Sequence, residues 1–279
     1  ACYVDGTRYA APLSVETTAL FYNMDMVTEV PDTWEELVEE ASNDGGVQFD
    51  ATSIYYDLGF VRACGGYIFN YEDGAYDTTD IGLSNDGAIQ AYQFIDDLCN
   101  KYNLITADVT ADIARSNFQN GKCAYYIGGP WDIDGFESAG VSFGITEMPT
   151  FNGENFVTPV GTQVSFVSNS SEKQDAAWQF IKYLIDNGAV DMYEAGDRIP
   201  AKLSDQNIDA IQNNEYTQAF IAQINNGEPM PTVSEMGQLW TIHTNNIRSM
   251  WSGEQTPEEA AKYLVAQLEE AINLMDSGK

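Results

Sequence analysis

The hydrophobic residues of this chain recur at helical spacing in some segments and in short β-rich runs in others. Helical spacing of three and four residues places apolar side chains on one face of a segment. The β-rich runs lie at 19–22, 123–127, 141–145 and 164–167. The clearest helical faces consist of Ala88, Tyr92, Ile95 and Leu98, and of Ala177, Phe180, Ile181, Leu184 and Ile185. Because strands that alternate with helices form sheets covered by helices, the pattern predicts an α/β protein.

Local cap and turn residues support the same elements. Three Ser or Thr residues stand three positions before a Glu or Gln, which is the spacing of a helix capping box. The pairs are Thr33 with Glu36, Ser171 with Gln174, and Thr256 with Glu259. In segment 65–76, aromatic and polar residues alternate around Asp73 and Gly74, a dipeptide that favours a tight hairpin. The sequence therefore predicts three capped helices and one β-hairpin, with a long loop over 146–162.

Composition limits the classes of partner. The 279 residues are 44% hydrophobic, which is enough for two compact units. With 43 acidic and 12 basic residues, the formal charge of −31 repels nucleic-acid phosphates and anionic membrane surfaces. No run approaches the roughly 20 apolar residues of a membrane span. We therefore predict no nucleic-acid partner and no membrane insertion of this chain.

The cysteines and the single histidine give no metal or redox motif. Cys2, Cys64, Cys99 and Cys123 lack the Cys-x-x-Cys spacing of such sites. We interpret Cys99 and Cys123 as buried free thiols because they lie in apolar segments. His243 lies in a helical pattern and is interpreted as a surface or packing residue. No cofactor or metal is predicted.

The segment that ends at Trp131 carries the strongest indication of function. An apolar run from Cys123 leads into Gly-Gly-Pro and then Trp131, so the turn presents the indole in a fixed direction. Trp240 follows a second turn at Met230 and Pro231. An aromatic side chain on a loop suits a flat apolar ligand face such as a sugar ring. The alternative is that both tryptophans are core residues.

A set of motifs follows in order along the chain, at 8–16, 22–23, 31–37, 65–69, 74–77, 128–131, 148–151, 228–231, 236–240 and 252–260. In order and spacing this set resembles the maltose/maltodextrin-binding proteins of ABC importers, which are extracellular solute-binding proteins of family 1. The resemblance covers essentially the whole chain.

The resemblance implies an α/β fold of two lobes, the type II periplasmic-binding-protein-like fold. The C-terminal lobe is expected to be nearly complete and to comprise 19–157 and 213–279. A partial N-terminal lobe is expected at 1–14 and 162–211, because family members carry a further N-terminal segment. Hinge crossings are expected near 15–18, 158–161 and 212.

The resemblance also implies a ligand-binding set. It consists of Glu16, Tyr55, Tyr56, Trp131, Met230 and Trp240. Glu16 is expected to accept hydrogen bonds from sugar hydroxyls, or alternatively to form a hinge salt bridge. The aromatic residues are expected to stack on the sugar, with Met230 at the edge; the tyrosines could instead belong to the core.

Four departures from the family pattern bear on the ligand. Ile133 stands where the maltose binder has an aromatic residue, and Ser53 replaces a carboxylate. Thr241 and Thr244 replace a tyrosine and an arginine. Fewer long polar side chains are therefore expected to reach the ligand.

The function implied is a carbohydrate receptor for maltodextrins or related glucans, without enzymatic activity. Its expected partners are an oligosaccharide and the permease subunits of an ABC importer. The expected location is extracytoplasmic, with membrane attachment only through a lipid anchor on the missing N-terminus. The alternatives are a glycoside hydrolase using two of Asp132, Asp134 and Glu235, a receptor for a non-glucan solute, and an oligomer-forming structural piece.

Overall fold

The computed structural model describes residues 2–4, 7–44 and 46–277. The strands are β1 (Tyr3–Val4), β2 (Thr7–Arg8), β3 (Ala10–Glu16), β4 (Ala19–Asn23), β5 (Val47–Gln48), β6 (Asn70–Glu72), β7 (Ala75–Asp77), β8 (Tyr125–Gly128), β9 (Phe143–Thr146), β10 (Pro159–Phe166), β11 (Ile199–Pro200) and β12 (Glu228–Pro229). The α-helices are α1 (Trp34–Asp44), α2 (Ile54–Ala63), α3 (Asp86–Asn100), α4 (Ala111–Gln119), α5 (Ile133–Ala139), α6 (Gln174–Asn187), α7 (Ala189–Gly196), α8 (Asp209–Gln212), α9 (Glu215–Asn225), α10 (Met236–Trp251) and α11 (Pro257–Ser277). Short 3-10 helices occupy Pro130–Asp132 and Leu203–Asn207.

Two four-stranded sheets organise the described residues. One has the strand order β11-β3-β10-β12 and the other β5-β8-β4-β9. In the first sheet β3 and β10 are antiparallel, while β12 lies parallel to β10. In the second sheet β4 is flanked by antiparallel β8 and β9, and β5 lies parallel to β8. The mixed α/β class predicted from the hydrophobic pattern is confirmed.

The chain passes between the two sheets at a pair of adjacent crossings. Thr17 and Thr18 separate β3 from β4 and are both buried. The Thr17 hydroxyl forms hydrogen bonds with the Thr158 hydroxyl at 2.7 Å and with the Pro159 carbonyl at 2.8 Å. Since these bonds pair the crossing at 17–18 with the one at 158–159, the two connections lie side by side.

Aromatic side chains fill the core around the second sheet. Phe21, in β4, is fully buried, and its ring centroid lies 5.6 to 6.3 Å from five aromatic rings of α4, α5, α9, β8 and β9. Trp34, at the start of α1, packs in the same way against four phenylalanine rings. These interlocking rings fix the helices on both sides of the sheet.

Two of the three predicted capping boxes are confirmed. The Glu36 amide donates to the Thr33 hydroxyl at 3.2 Å, directly before the main body of α1. At the start of α11 the Glu259 amide donates to the Thr256 hydroxyl at 3.3 Å, and the Thr256 amide donates back to the Glu259 carboxylate at 2.9 Å. Both helices therefore begin where local sequence chemistry predicts.

The third capping box is wrong. Helix α6 begins at Gln174 with Lys173 at its N-cap, and the Ser171 hydroxyl accepts from the Lys173 amide in the preceding turn. The apolar face is also only partly buried: Ile181 is in the core, but Phe180 is 61% exposed. The reason is that α6 packs on β3 and α7, which cover one side of its apolar stripe.

Other local predictions have mixed outcomes. The hairpin is confirmed as β6 and β7, with Asp73 and Gly74 in the left-handed region at φ of 52° and 86°. The strand predicted at 164–167 begins earlier, at 159, so the loop predicted over 146–162 is shorter. Cys99 and Cys123 are buried free thiols, as predicted. No helix in the described part of the chain has the length and apolar composition that a bilayer crossing requires.

Candidate functional site

The six predicted site residues come from five separate places in the fold. They are Glu16 at the end of β3, Tyr55 and Tyr56 in the first turn of α2, Trp131 in a 3-10 helix, Met230 after β12, and Trp240 in the second turn of α10.

Trp131 is held at the surface by its buried neighbour. Asp132 is fully buried and accepts hydrogen bonds from Arg115 Nε, from the Tyr126 hydroxyl at 2.9 Å and from the Gly129 amide at 3.3 Å. Burial, followed by the Asp132 charge, raises the pKa of Tyr126, so its hydroxyl stays a donor. Trp131 itself remains 41% exposed. The turn is therefore fixed from below while the indole faces solvent.

Gly129, before this turn, leaves space for the Trp131 indole. A Cβ on Gly129 would overlap the six-membered ring of Trp131, so the indole lies directly over the Gly129 backbone. The φ and ψ of Gly129, −120° and −179°, are ordinary extended values that any residue adopts. Glycine is required here for space and not for backbone conformation.

Tyr55 and Tyr56 form a rigid aromatic corner at the start of α2. Ser53 caps this helix, accepting from the Tyr55 amide at 3.3 Å, and the two phenol rings meet edge to face at 5.5 Å. Burial and then the Glu16 charge raise the pKa of Tyr55. Burial and then the charges of Asp132 and Asp50 raise the pKa of Tyr56 to about 12. Tyr55 therefore lies within the electrostatic range of Glu16, and Tyr56 within that of Asp132, the residue after Trp131.

Glu16, at the end of β3, takes part in an ion pair with Arg198. Its Oε2 accepts from Arg198 at 3.0 Å and from the Gln163 side-chain amide at 2.9 Å. In the part of the chain that the structure describes, no hydrogen bond reaches Oε1. The carboxylate is thus oriented by one oxygen and can accept a further donor at the other.

Trp240 lies on α10, which is hydrogen-bonded to the loop before the tyrosine corner. One residue in the loop before α2 receives two hydrogen bonds from α10: the Thr52 carbonyl lies 3.1 Å from His243 Nδ1 and 3.0 Å from the Thr244 hydroxyl. Trp240 lies one helical turn before Thr244 and is 39% exposed. The core alternative for both tryptophans is therefore wrong, because a large part of each indole is accessible.

Met230 lines a groove that was not predicted from the sequence. The groove has a volume of about 1430 Å³ and runs between the β6–β7 hairpin and the segment 228–235. An ion pair of Arg62 with Glu228 at 3.1 Å lies in its wall, and the tilted rings of Tyr71 and Tyr76 pack with their centroids 4.7 Å apart across the hairpin. Drug-sized ligand pockets are about 300–1,000 Å³, so this groove has room for a longer molecule.

The sequence contained one indication of these groove residues. The alternation of aromatic residues in 65–76 predicted the hairpin but was not connected to a ligand. The ion pair of Arg62, at the end of α2, with Glu228 could not be predicted from local sequence, because the two residues are far apart in the chain.

The departures from the family pattern have local explanations. Ser53 caps α2 and Thr244 binds the Thr52 carbonyl, so both side chains serve the scaffold. Ile133 is buried in the core instead of extending the aromatic surface. Ile133 therefore adds no exposed aromatic ring beside Trp131.

The fold and this surface together define a class of protein. The fold has two sheets that are joined by paired crossings, and exposed aromatic side chains and an oriented carboxylate lie near these crossings. This arrangement is typical of two-lobe solute-binding proteins. Residues 2–220 match the family described as bacterial extracellular solute-binding protein. The chain belongs to this family and is therefore extracytoplasmic.

The relatives agree with this assignment. The chain is 32% identical to the galactooligosaccharide-binding protein of Bacillus subtilis (strain 168), covering 99% of this chain and 69% of that protein. It is 28% identical to a maltooligosaccharide ABC transporter solute-binding lipoprotein of Streptococcus pneumoniae (strain ATCC BAA-255 / R6), covering 96% and 66%. The chain thus spans about two thirds of the length of these relatives.

Solved structures show the same fold. The maltose-maltodextrin binding protein of the thermoacidophilic bacterium Alicyclobacillus acidocaldarius matches with a TM-score of 0.89 at 32% identity, over 96% of this chain and 73% of that one. A cyclo/maltodextrin-binding protein complexed with maltotetraose matches with a TM-score of 0.90 at 29% identity, over 97% and 72%. The two-lobe, type II fold expected from the resemblance is confirmed.

Proposed function

We propose that this chain is the carbohydrate-binding part of a receptor that delivers an oligosaccharide, a maltodextrin or related glucan, to an ABC importer. The observation that carries the proposal is the pair of partly exposed indoles, Trp131 and Trp240, each on a segment that hydrogen bonds of a neighbouring residue hold in place: Asp132 with Tyr126, and Thr244 with the Thr52 carbonyl. Aromatic rings held rigidly at a surface offer stacking faces at little cost in side-chain entropy. Relatives named for oligosaccharides support the ligand class.

The proposed roles follow from the contacts. The indoles stack on sugar faces, and Tyr55 and Tyr56 form the wall between them. Glu16 accepts a hydroxyl hydrogen bond at Oε1, since Oε2 is already engaged by Arg198 and Gln163. Met230 closes the edge toward the groove, where a longer chain of sugars would extend.

Ligand binding is proposed to act through hinge closure. The crossings at 15–18, 158–161 and 212 are the proposed hinge, with 1–14 and 162–211 on one side and 19–157 and 213–279 on the other. A sugar that stacks on one lobe gains hydrogen bonds from the other only in the closed form, so it shifts the population toward closure. Permease subunits that recognise the closed form, and a lipid anchor, are the proposed partners at the membrane.

A glycoside hydrolase is the main alternative from another class. Such an enzyme needs two carboxyl groups facing one glycosidic bond. Asp132, the acid nearest to Trp131 in sequence, is fully buried and bound by Arg115, Tyr126 and Gly129. Its carboxylate therefore supports the turn, and we propose a receptor without enzymatic activity.

Calorimetric titration tests the function. The chain, and a form extended to the length of its relatives, would be titrated with maltotriose, longer maltodextrins and a galactooligosaccharide, with an amino-acid mixture as control. We expect saturable binding of at least one oligosaccharide and recovery of the sugar unchanged. Binding of amino acids alone would contradict the proposal, and new reducing ends would favour the hydrolase.

Substituting Gly129 with alanine is expected to weaken oligosaccharide binding about tenfold while the protein stays folded. The new methyl group would occupy the space of the Trp131 ring and push the indole out of its position. Overpacking of this kind costs about 1–3 kcal/mol. Calorimetry of the variant with the best oligosaccharide measures the loss, and the shift of tryptophan fluorescence reports the movement.

Gly135→Ala is the matched control for this variant. Gly135 lies in α5, a few residues from Trp131, and a Cβ there meets no atom within 4 Å. Alanine in a helix is about 1 kcal/mol more favourable than glycine, so this variant should bind like the wild type and be slightly more stable. Equal binding by both variants would show that the indole position does not matter.

A further inference from the structure

A cluster of buried polar groups lies between α2, α3 and α10. Asp57, Tyr92 and His243 are almost completely inaccessible to solvent. Both carboxylate oxygens of Asp57, the Tyr92 hydroxyl and His243 Nε2 have no hydrogen-bond partner within the described residues. Buried polar groups are nearly always hydrogen-bonded, so three of them side by side without partners require an explanation.

The hydrogen bonds of His243 determine which nitrogen carries the proton. Nδ1 lies 3.1 Å from the Thr52 carbonyl, which can only accept, so Nδ1 is protonated. The lone pair of neutral Nε2 then faces Asp57, whose Oδ2 is 3.8 Å away. A carboxylate would repel this lone pair, whereas a protonated Asp57 could donate to it after a movement of about 1 Å.

The surroundings of the pair favour this neutral form. The charged and titratable groups that face it are Asp50 from the loop before α2 and Tyr92 from α3; in the described ranges no Lys or Arg is paired with Asp57. Burial and then the Asp50 charge raise the pKa of Asp57 well above its usual range. Burial lowers the pKa of His243 to about 4. Both shifts favour the neutral form of the pair, in which one proton lies on Asp57 between its carboxyl group and Nε2.

This cluster lies directly behind the candidate ligand surface. Tyr55 and Tyr56 immediately precede Asp57 in α2, and Trp240 lies one turn from His243 in α10. The contact of His243 with Asp57 and the bonds of α10 to the Thr52 carbonyl thus join the two helices that carry these aromatic residues. A change in this contact would move the tyrosine corner relative to Trp240.

We propose that Asp57 and His243 are positioning residues of the sugar site: as a one-proton pair they hold the start of α2 against α10 and so set the spacing of Tyr55, Tyr56 and Trp240. This inference rests on the proposed oligosaccharide function. Loss of the shared proton leaves a buried carboxylate facing a lone pair, which separates the helices and weakens sugar binding.

The pair has a defined effect on stability as pH changes. In the unfolded chain Asp57 loses its proton near pH 4, whereas in the folded chain it keeps the proton to higher pH. Its contribution is therefore fully present below about pH 4 and is lost as pH rises toward the folded pKa. Asp57→Asn lacks this titration. The folding equilibrium constant of the wild type, divided by that of the variant, should therefore fall by up to tenfold for each unit that the pH rises between the unfolded and the folded pKa of Asp57.

The test compares Asp57→Asn, Asp57→Ala and wild type across pH 5 to 9, using denaturant unfolding and calorimetric titration with maltotriose and a galactooligosaccharide. An asparagine amide can donate to Nε2, so Asp57→Asn should keep wild-type sugar affinity at pH 6. Unlike the wild type, it should not lose affinity as the pH rises. Asp57→Ala should bind about tenfold more weakly at pH 6. Asp175→Ala, an exposed acid in α6, is the control and should match the wild type in both measurements.

The two hypotheses fail in different ways. If the unaltered chain binds no sugar at any pH, the proposed function is overturned, and the stability ratio still decides whether Asp57 and His243 share a proton. Wild-type affinity in Asp57→Ala, equal losses in Asp57→Asn and Asp57→Ala, or a stability ratio independent of pH would each overturn the positioning role.

Discussion

Replacing Trp131 or Trp240 with alanine is expected to weaken oligosaccharide binding about 30-fold or more. Each indole is half exposed and anchored, so a sugar ring that covers it removes apolar surface from water without ordering a mobile side chain. Central aromatic residues of binding sites typically lose about 2 kcal/mol or more on truncation, and 1.4 kcal/mol corresponds to tenfold. Calorimetry of each variant with the best oligosaccharide measures the effect.

Trp178→Ala is the matched control for both substitutions. Trp178 is 40% exposed, almost the same as Trp131 at 41% and Trp240 at 39%, but it lies on α6 beside the first sheet. We expect this variant to bind like the wild type, because Trp178 is not one of the candidate site residues. A comparable loss of affinity in all three variants would indicate a general effect of removing tryptophan and would contradict the proposed site.

Phe21→Ala is expected to reduce the free energy of unfolding by about 3–5 kcal/mol. Phe21 is fully buried in the central strand β4 and contacts rings from three helices and two strands, so no single neighbour can fill the space. Its deletion would leave a cavity at the centre of the second sheet. Urea or guanidinium unfolding, followed by circular dichroism, measures the change.

Phe166→Ala gives the comparison at the surface. Phe166 also lies in a strand, at the end of β10, but is 70% exposed. Its removal should change the free energy of unfolding by no more than about 0.5 kcal/mol. If the two variants were equally stable, the aromatic cluster around Phe21 would not be the main source of stability in this sheet.

The sequence predicted best what nearby residues decide. The caps at Thr33 and Thr256, the Asp73-Gly74 turn and the apolar face of α3 each depend on contacts within one or two turns, and all are present. Where the sequence failed, a distant contact decided. The exposure of Phe180 depends on what packs against α6, and the earlier start of β10 depends on its pairing with β3 and β12.

In the candidate site, too, some features could be predicted from nearby residues and others depend on distant contacts. Trp131 was predicted because its glycine and proline neighbours make a recognisable turn, and the ordered motifs added Glu16, Tyr55, Tyr56, Met230 and Trp240. That these six side chains contact one ligand stays a prediction. The anchoring of Asp132 by Arg115 and Tyr126 could not be predicted, since the hydrogen bonds come from another helix and strand.

By itself, the sequence determined the α/β class, the starts of α1 and α11, the hairpin and, through the order of its motifs, membership of the solute-binding family. Hydrophobic period and cap chemistry act over a few residues and can be recognised without coordinates. Only the tertiary structure decided that Asp57 faces His243, that Arg62 faces Glu228 in a wide groove, and that α10 is tied to the loop before Tyr55. These contacts join residues far apart in the chain, and the packing of the helices, which no local pattern encodes, brings them together.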